Sequence, residues 1–208
     1  KRFDAIILSG SSLNMSQSLQ TACISKDLMV MLNAPYVPCL GICFGMQLLA
    51  VAYGGHVERM EQQREGTHRT IPTEKSPLFE SNTFDAYYHH QDEVTKIPPD
   101  FVATATSNGI ITAMQCIPKM RFGVQFHPEC SQGEAHKVLT NFLSVAHRMV
   151  IHVDESVSTT RMELLVIANS VNSVGARRTA EKYKMPIESI MRIWNIFRRE
   201  FGIPSKMV

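Results

Sequence analysis

The chain has 208 residues, of which 44% are hydrophobic and 19% charged, and its formal net charge is +2. That length suits one full domain with a small appendage, and no apolar run is long enough to cross a bilayer as a helix. There is no signal-peptide pattern at the start, and five cysteines without metal-ligand spacing point to a reduced cytosolic or nuclear setting, with no disulfide framework. The charge is uneven: residues 148–208 hold ten Lys or Arg against six Asp or Glu, and the rest holds 11 against 13, so the C-terminal part is the basic part.

In chain order, Phe3 to Leu8 reads as a buried parallel strand, followed by the polar loop Ser9-Gly10-Ser11-Ser12-Leu13-Asn14. Ser18 to Leu32 carries apolar residues at the spacing of a covering helix. A second apolar run, Val37 to Leu40, leads into Gly41-Ile42-Cys43-Phe44-Gly45-Met46-Gln47, and a helical pattern then runs to a stop at Gly54-Gly55. His56–Arg59, Thr67–Ile71, Thr83–Tyr88, Val102–Thr106 and Ile110–Cys116 are strand candidates, with Asn108-Gly109 as a hairpin turn. Gly123 to Phe126 is a further apolar strand ending in His127-Pro128-Glu129, and Gln132 to Met149 reads as a closing helix with Val138, Leu139, Phe142, Leu143 and Ala146 inward. Strands alternating with helices predict an α/β domain with a parallel sheet.

A Ser/Thr-rich break over residues 151–160 predicts a linker between a domain at 1–150 and a tail at 161–208. In that tail Thr160 to Glu163 forms a capping box. A helix with Leu164, Leu165, Ile167, Ala168 and Val171 follows, then one from Gly175 to Tyr183. Pro186 stands at the first position of the last, which has Ile187, Ile190, Met191, Trp194 and Phe197 at core spacing. The predicted core holds Leu165, Ala168, Ala180, Tyr183, Ile190 and Trp194. Three short helices suggest a helix-turn-helix unit. In that reading Arg177, Arg178, Lys182 and Lys184 meet phosphate, while Ser189, Arg192 and Asn195 face base edges. The same pattern also describes a helical appendage that packs on the first domain or pairs with a second copy of the chain.

Two segments carry chemistry. In the first, Cys43 sits between Gly41 and Gly45 at a strand-to-helix turn, the geometry of a nucleophile elbow, and the helix N-terminus favours its thiolate. Taken alone, those residues also describe a buried cysteine in a tight turn. In the second, His127 is a candidate base and Glu129 its orienting group; Pro128 turns the chain away from the strand. Of the adjacent pair His89 and His90, neighbouring strand residues face opposite ways, so a shared metal ion is not expected.

The sequences around Cys43 and His127 resemble the class I glutamine amidotransferases, whose patterns G-x-C-x-G-x-Q and H-P-E are both present without a gap. Within that family the resemblance is closest to the glutaminase domains of the GMP synthetase branch. Further matches are Arg64-Glu65-Gly66, Ser76-Pro77-Leu78-Phe79, His90-Gln91-Asp92-Glu93-Val94 and Asn141-Phe142-Leu143, within a span from about Phe3 to about His147. The resemblance implies a flavodoxin-like fold with a mostly parallel sheet flanked by helices. It implies a Cys43-His127-Glu129 triad, with an oxyanion hole from the loop at Gly10 and Ser11 and from Phe44. The loop departs from the family's S-G-G-P, having Ser11 and Ser12 where Gly-Pro is usual. Gln47 then helps fix the substrate, and His90, Gln91 and Asp92 line its pocket.

In that family the strand at Phe3–Leu8 comes third, after a strand-helix-strand start, and this chain is expected to omit that start. The implied function is hydrolysis of glutamine to glutamate and ammonia, with no cofactor or metal and with the ammonia acceptor on a partner chain. Two other readings stay open. One is a catalytically weak or inactive amidotransferase-fold regulator that meets nucleic acid through its basic tail. The other is a hydrolase of γ-glutamyl peptides.

Overall fold

The structure is a computed structural model that describes residues 5–18, 37–148, 170–171 and 175–201. Seven strands form one sheet: β1 (Ile6–Leu8), β2 (Cys39–Ile42), β3 (His56–Pro72), β4 (Phe84–Lys96), β5 (Val102–Ser107), β6 (Ile110–Cys116) and β7 (Arg121–Val124). Their spatial order is β1-β2-β7-β6-β5-β3-β4. Helices α1 (Met15–Ser18), α2 (Phe44–Ala52) and α3 (Gly133–Arg148) accompany them. Among the described residues no helix is long and apolar enough to cross a membrane.

β2 is buried along its whole length and pairs in parallel with β1 on one side and β7 on the other. A strand covered on both faces needs a continuous apolar run, and Val37 to Ile42 supplies one. α2 follows directly, and every residue from Phe44 to Ala50 is buried. The β2–β7 register sets Gly41 against Gly123 and Ile42 against Val124. Both strands therefore end at the same level, and the segments carrying Cys43 and His127 leave the sheet at one edge.

The remaining pairings, β7–β6, β6–β5, β5–β3 and β3–β4, are antiparallel. The α/β class holds, and the parallel part among the described strands is the β1-β2-β7 group. The others are joined largely through hairpins, such as the one at Asn108 and Gly109. Both of these residues have positive φ (51° and 82°), as a two-residue hairpin turn requires. β6 has the expected bounds, whereas the two strands expected at 56–59 and 67–71 are one strand of 17 residues. Its pairing with β4 shifts register between Arg59 and Arg64: Arg59 opposes Asp92 and Arg64 opposes His90. Residues 60–63 therefore bulge out, a feature that alternation of apolar residues does not reveal.

α3 buries Ala135, Val138, Phe142, Val145 and Ala146, but Leu143 is 52% exposed, against expectation. Its position falls outside the stripe at i, i+3, i+7 that meets the sheet. The helix predicted over Ser18 to Leu32, apart from Ser18 itself, lies outside the described residues, as does the predicted linker.

By its contacts the chain divides into two compact units, Lys1–Ala146 and His147–Val208. In the second, α4 (Ala176–Tyr183) and α5 (Ile187–Phe201) are joined by a turn with Lys184 in the left-handed region (φ 52°). Ile190, Ile193 and Trp194 are buried, as are Ala176 and Thr179. Ala180 and Tyr183 are only half-buried, and Ile187 is exposed, correcting its assignment to the core. Thr179 takes the inner position because its hydroxyl is satisfied by the Gly175 carbonyl at 2.8 Å and Ser170 Oγ at 3.0 Å. Of the residues predicted for nucleic-acid contact, Arg177, Arg178, Lys182, Arg192 and Asn195 are exposed and Ser189 is half-buried.

Gly45 is where β1 and α2 touch. A Cβ there would collide with the carbonyl oxygen of Leu8, and one at Gly41 with the carbonyl of Gly45. Backbone cannot give way as a flexible side chain can. Gly45→Ala is expected to destabilise the chain by about 1–3 kcal/mol, the usual cost of overpacking, read as a lowered urea midpoint. An unchanged midpoint would mean that the approach of β1 to α2 is not tight.

Candidate active site

Cys43 stands between Ile42, the last residue of β2, and Phe44, the first of α2. Its φ and ψ are 52° and −107°, a region that non-glycine residues rarely enter. Such a conformation costs on the order of 1–3 kcal/mol and persists only where the surroundings over-determine it. Here the Cys43 N–H donates to the Val124 carbonyl at 2.8 Å, and the Cys43 carbonyl accepts from Met46 at 3.0 Å and Gln47 at 3.2 Å. The residue is thus fixed by sheet and helix at once. Its thiol is directed toward the His89 carbonyl at 3.7 Å.

His127 follows β7 by three residues. Its N–H donates to the Tyr87 carbonyl at 2.8 Å, and its ring meets Tyr87 edge-on at 6.4 Å. Ser131 ties the same two residues together: its hydroxyl donates to the His127 carbonyl at 2.7 Å and accepts from the Tyr87 N–H at 3.0 Å. Beneath, Phe126 packs against Phe84 and Tyr88 with ring centroids 5.7 and 6.0 Å away. Pro128 opens a one-turn 3₁₀ helix, Pro128–Cys130, that brings Glu129 back beside the ring. The Nδ1–Oε1 distance is 2.7 Å. Nε2 is buried and makes no hydrogen bond with the described residues.

Gly10 completes the arrangement. A Cβ built on it would lie 2.9 Å from Cε1 of His127 and 3.6 Å from Cβ of Cys43. Thiol, imidazole and the Gly10 backbone therefore share one small volume, with room for no side chain at position 10. His127 is raised from 6.5 to about 10, first by its interaction with the Cys43 sulfur and then by the hydrogen bond to Glu129, with burial working against both. On the carboxylate, burial pulls upward, but the His127 hydrogen bond, its own backbone N–H and the imidazolium charge outweigh it, and Glu129 is held low. By contrast, burial pushes the Cys39 thiol up to about 12 and raises Cys116 as well.

Cys43 opens onto a cavity of about 220 Å³. Ser11, Phe44, Gln47, His90, Gln91 and Asp92 line it, which brings together the expected pocket residues, whereas Gly10, His127 and Glu129 are not among its lining residues. Neither Ser11 nor Ser12 has a positive φ, so their side chains impose no left-handed strain on the loop. Gln47 is 3% exposed, and its Nε2 donates to the Asp92 carbonyl at 2.9 Å and to Gln125 Oε1 at 3.2 Å. His90 is buried and pushed down to about 4 by that burial. It is neutral at pH 7, and its Nδ1–H donates to the Asp92 carbonyl at 2.9 Å. His89 faces the other way and is exposed.

Sequence reasoning missed Gln63 as a cavity residue, whereas His89, within the stretch expected to line the pocket, does line it. Gln63 arrives through the β3 bulge, where its Nε2 meets His89 Nε2 at 3.4 Å. It also missed Ser131, which in sequence is an ordinary polar residue after a turn.

The chain carries a cysteine at a strand-to-helix turn and a His-Glu pair at the carboxyl edge of its parallel strands, the edge at which open α/β sheets bind ligands. Residues 1–146 match the family model Glutamine amidotransferase class-I, and the chain belongs to that family. It is 36% identical over 149 residues to the glutamine-hydrolyzing GMP synthase of Thermosipho melanesiensis, covering 70% of this chain and 28% of the relative. It is 37% identical over 149 residues to a separate glutamine-hydrolyzing GMP synthase subunit from Methanococcus aeolicus, covering 70% and 75%. The chain thus spans little more than a quarter of the full-length synthase and most of the separate subunit. In fold it is similar to a glutamine amidotransferase from Thermotoga maritima, with a TM-score of 0.54, 15% identity and coverage of 93% and 73%.

Because folding raises the His127 pKa, its contribution to stability is fully present below about pH 6.5 and fades as pH rises through about 10. Glu129, held low, loses its share as pH falls through its folded value. Ring-nitrogen NMR should therefore give His127 an apparent pKa near 10. It should fall in Glu129→Gln and fall further in Cys43→Ser. A value that does not move in either variant would mean that neither group interacts with the ring.

Proposed function

We propose that the chain is the glutaminase component of a GMP synthase type amidotransferase. Cys43 is the nucleophile, His127 the acid–base group and Glu129 the residue that orients the imidazole. The observation that carries this is the sharing of one volume by the strained Cys43 and a His127 whose Nδ1 is held by Glu129. In this reading the Cys43 sulfur attacks the side-chain amide carbon of glutamine, and its proton passes through His127 to the departing nitrogen. The C–N bond breaks, and ammonia leaves a γ-glutamyl thioester. Water then gives a proton to His127 and attacks the thioester carbon; the C–S bond breaks, glutamate departs and the sulfur is restored. Backbone N–H groups of loop 9–14 and of Phe44, whose N–H is an orphan donor of the first helical turn, stabilise the oxyanion. Gln47, Gln91 and Asp92 shape the pocket around the substrate.

Relatives named as glutamine-hydrolyzing GMP synthase and its separate subunit support this reading, in which the ammonia passes to the synthetase part of such an enzyme and is used to make GMP. The test is ammonia release from glutamine by the purified chain, alone and with the synthetase chain of a two-chain GMP synthase. Cys43→Ala should abolish it, and His127→Ala should lower it by at least about a hundredfold, as expected for a general acid–base. A glutamine-shaped electrophile should label Cys43 in preference to Cys39, Cys116 and the exposed Cys130. Ammonia release that survives Cys43→Ala would overturn the reading.

The second unit supports one additional proposal, contact with nucleic acid, on the observation that Arg177, Arg178, Lys182 and Lys184 are all exposed on α4 and its cap. Binding to duplex DNA should then fall steeply with salt as phosphates regain counterions, and Arg177→Ala with Arg178→Ala should reduce the salt slope. No binding at low salt would make the unit a protein-interaction module.

A further inference from the structure

Asp92 stands where the parts of the cavity meet. It is 2% exposed, on β4, and its carboxylate is committed to α1. Oδ2 accepts the Ser16 backbone N–H at 2.7 Å, and Oδ1 accepts the Ser16 hydroxyl at 2.9 Å. Its backbone carbonyl meanwhile accepts from Gln47 Nε2 and His90 Nδ1, both at 2.9 Å.

These bonds reach both sides of the reacting centre. Gln47 lies four residues after Cys43, about one turn along α2. Ser16 lies six residues after Gly10, just beyond the loop that faces Cys43. The N–H groups of a helix's first turn have no partner within the helix, and a carboxylate bond is roughly twice as strong as a neutral one. Two bonds to one residue also fix direction as well as distance. Within the loop, the Leu13 N–H bonds Ser11 Oγ at 3.1 Å, so the segment is braced internally before Asp92 anchors its end.

We infer that Asp92 is a positioning residue: through Ser16 it sets the placement of loop 9–14 against Cys43, and its carboxylate is not the anchor of the substrate's amino group. This rests on the glutaminase function proposed above. Alignment of oxyanion donors acts in the transition state, so its loss lowers kcat and leaves KM in place, whereas loss of a substrate anchor raises KM.

The experiment compares the full chain with Asp92→Asn, Ser16→Ala and the double variant. Ser16 is exposed, so its truncation removes the hydroxyl bond without threatening the fold. Amide exchange over residues 10–16 should speed up in both single variants. The kcat for glutamine should fall about tenfold or more in Asp92→Asn, as for a reacting group displaced by a fraction of an ångström. It should fall less in Ser16→Ala, with KM within about twofold in each. The double variant should be no worse than Asp92→Asn, because the two changes remove one interaction. Unchanged exchange, a raised KM with kcat kept, or losses that multiply would each overturn the inference. Exchange is read without turnover, so a chain inactive on glutamine would refute the function while the clamp is still decided.

Discussion

The site is built around the strained backbone of Cys43. A non-glycine residue at φ 52° and ψ −107° is held there only because three neighbours leave it no alternative. β7 takes its N–H, the first turn of α2 takes its carbonyl, and Gly45 lets α2 lie against β1 so closely that the turn cannot relax. The strain is local and the compensation is spread through buried elements, which is how functional sites commonly store it. The result is a thiol at the end of a rigid strand, at the start of a helix, facing a cavity. The same β2–β7 register that makes the turn tight also delivers His127 to it.

Around this centre the polar groups are placed with unequal freedom. Glu129 and His127 form a pair whose charges support each other, and the buried Nε2 of the imidazole makes no hydrogen bond with the described residues. His90, only a few residues along β4 from the Tyr87 carbonyl that anchors His127, is the reverse case, kept neutral by burial and bound through Nδ1. Two histidines of one domain thus shift in opposite directions, because the Cys43 sulfur and the Glu129 carboxylate outweigh burial at His127 whereas burial outweighs the Asp92 charge at His90. At the other buried thiols, Cys39 and Cys116, burial outweighs the charges of Arg121 and Lys119 and makes them poor nucleophiles.

Both chemical segments were legible in the sequence, because each is local. Gly41 to Gln47 and Gly123 to Glu129 encode their own turns, and the apolar runs before them encode buried strands that end level. The hairpin at Asn108-Gly109 and the opposite facing of His89 and His90 were legible for the same reason. What was not legible depends on register between distant strands. The bulge over residues 60–63, which brings Gln63 to the cavity, exists only as a mismatch between β3 and β4. The bond between Asp92 and Ser16 joins residues 76 apart in sequence, and no local pattern announces it. Leu143 and Ile187 were assigned to the core from helical spacing alone; Leu143 falls outside the face that α3 buries, whereas Ile187 shares the stripe of Ile190 and Trp194 but stands at the first residue of α5 and is exposed.

If the strained Cys43 carries the acyl group, the thioester can be caught. Mass spectrometry of the chain quenched in acid during glutamine turnover reads it without an intermediary. A γ-glutamyl adduct is expected on the peptide containing Cys43, removed by hydroxylamine and absent from Cys43→Ser quenched in the same way. Turnover that proceeds with that peptide unmodified in every quench, or an adduct on Cys39, Cys116 or Cys130 instead, would contradict it.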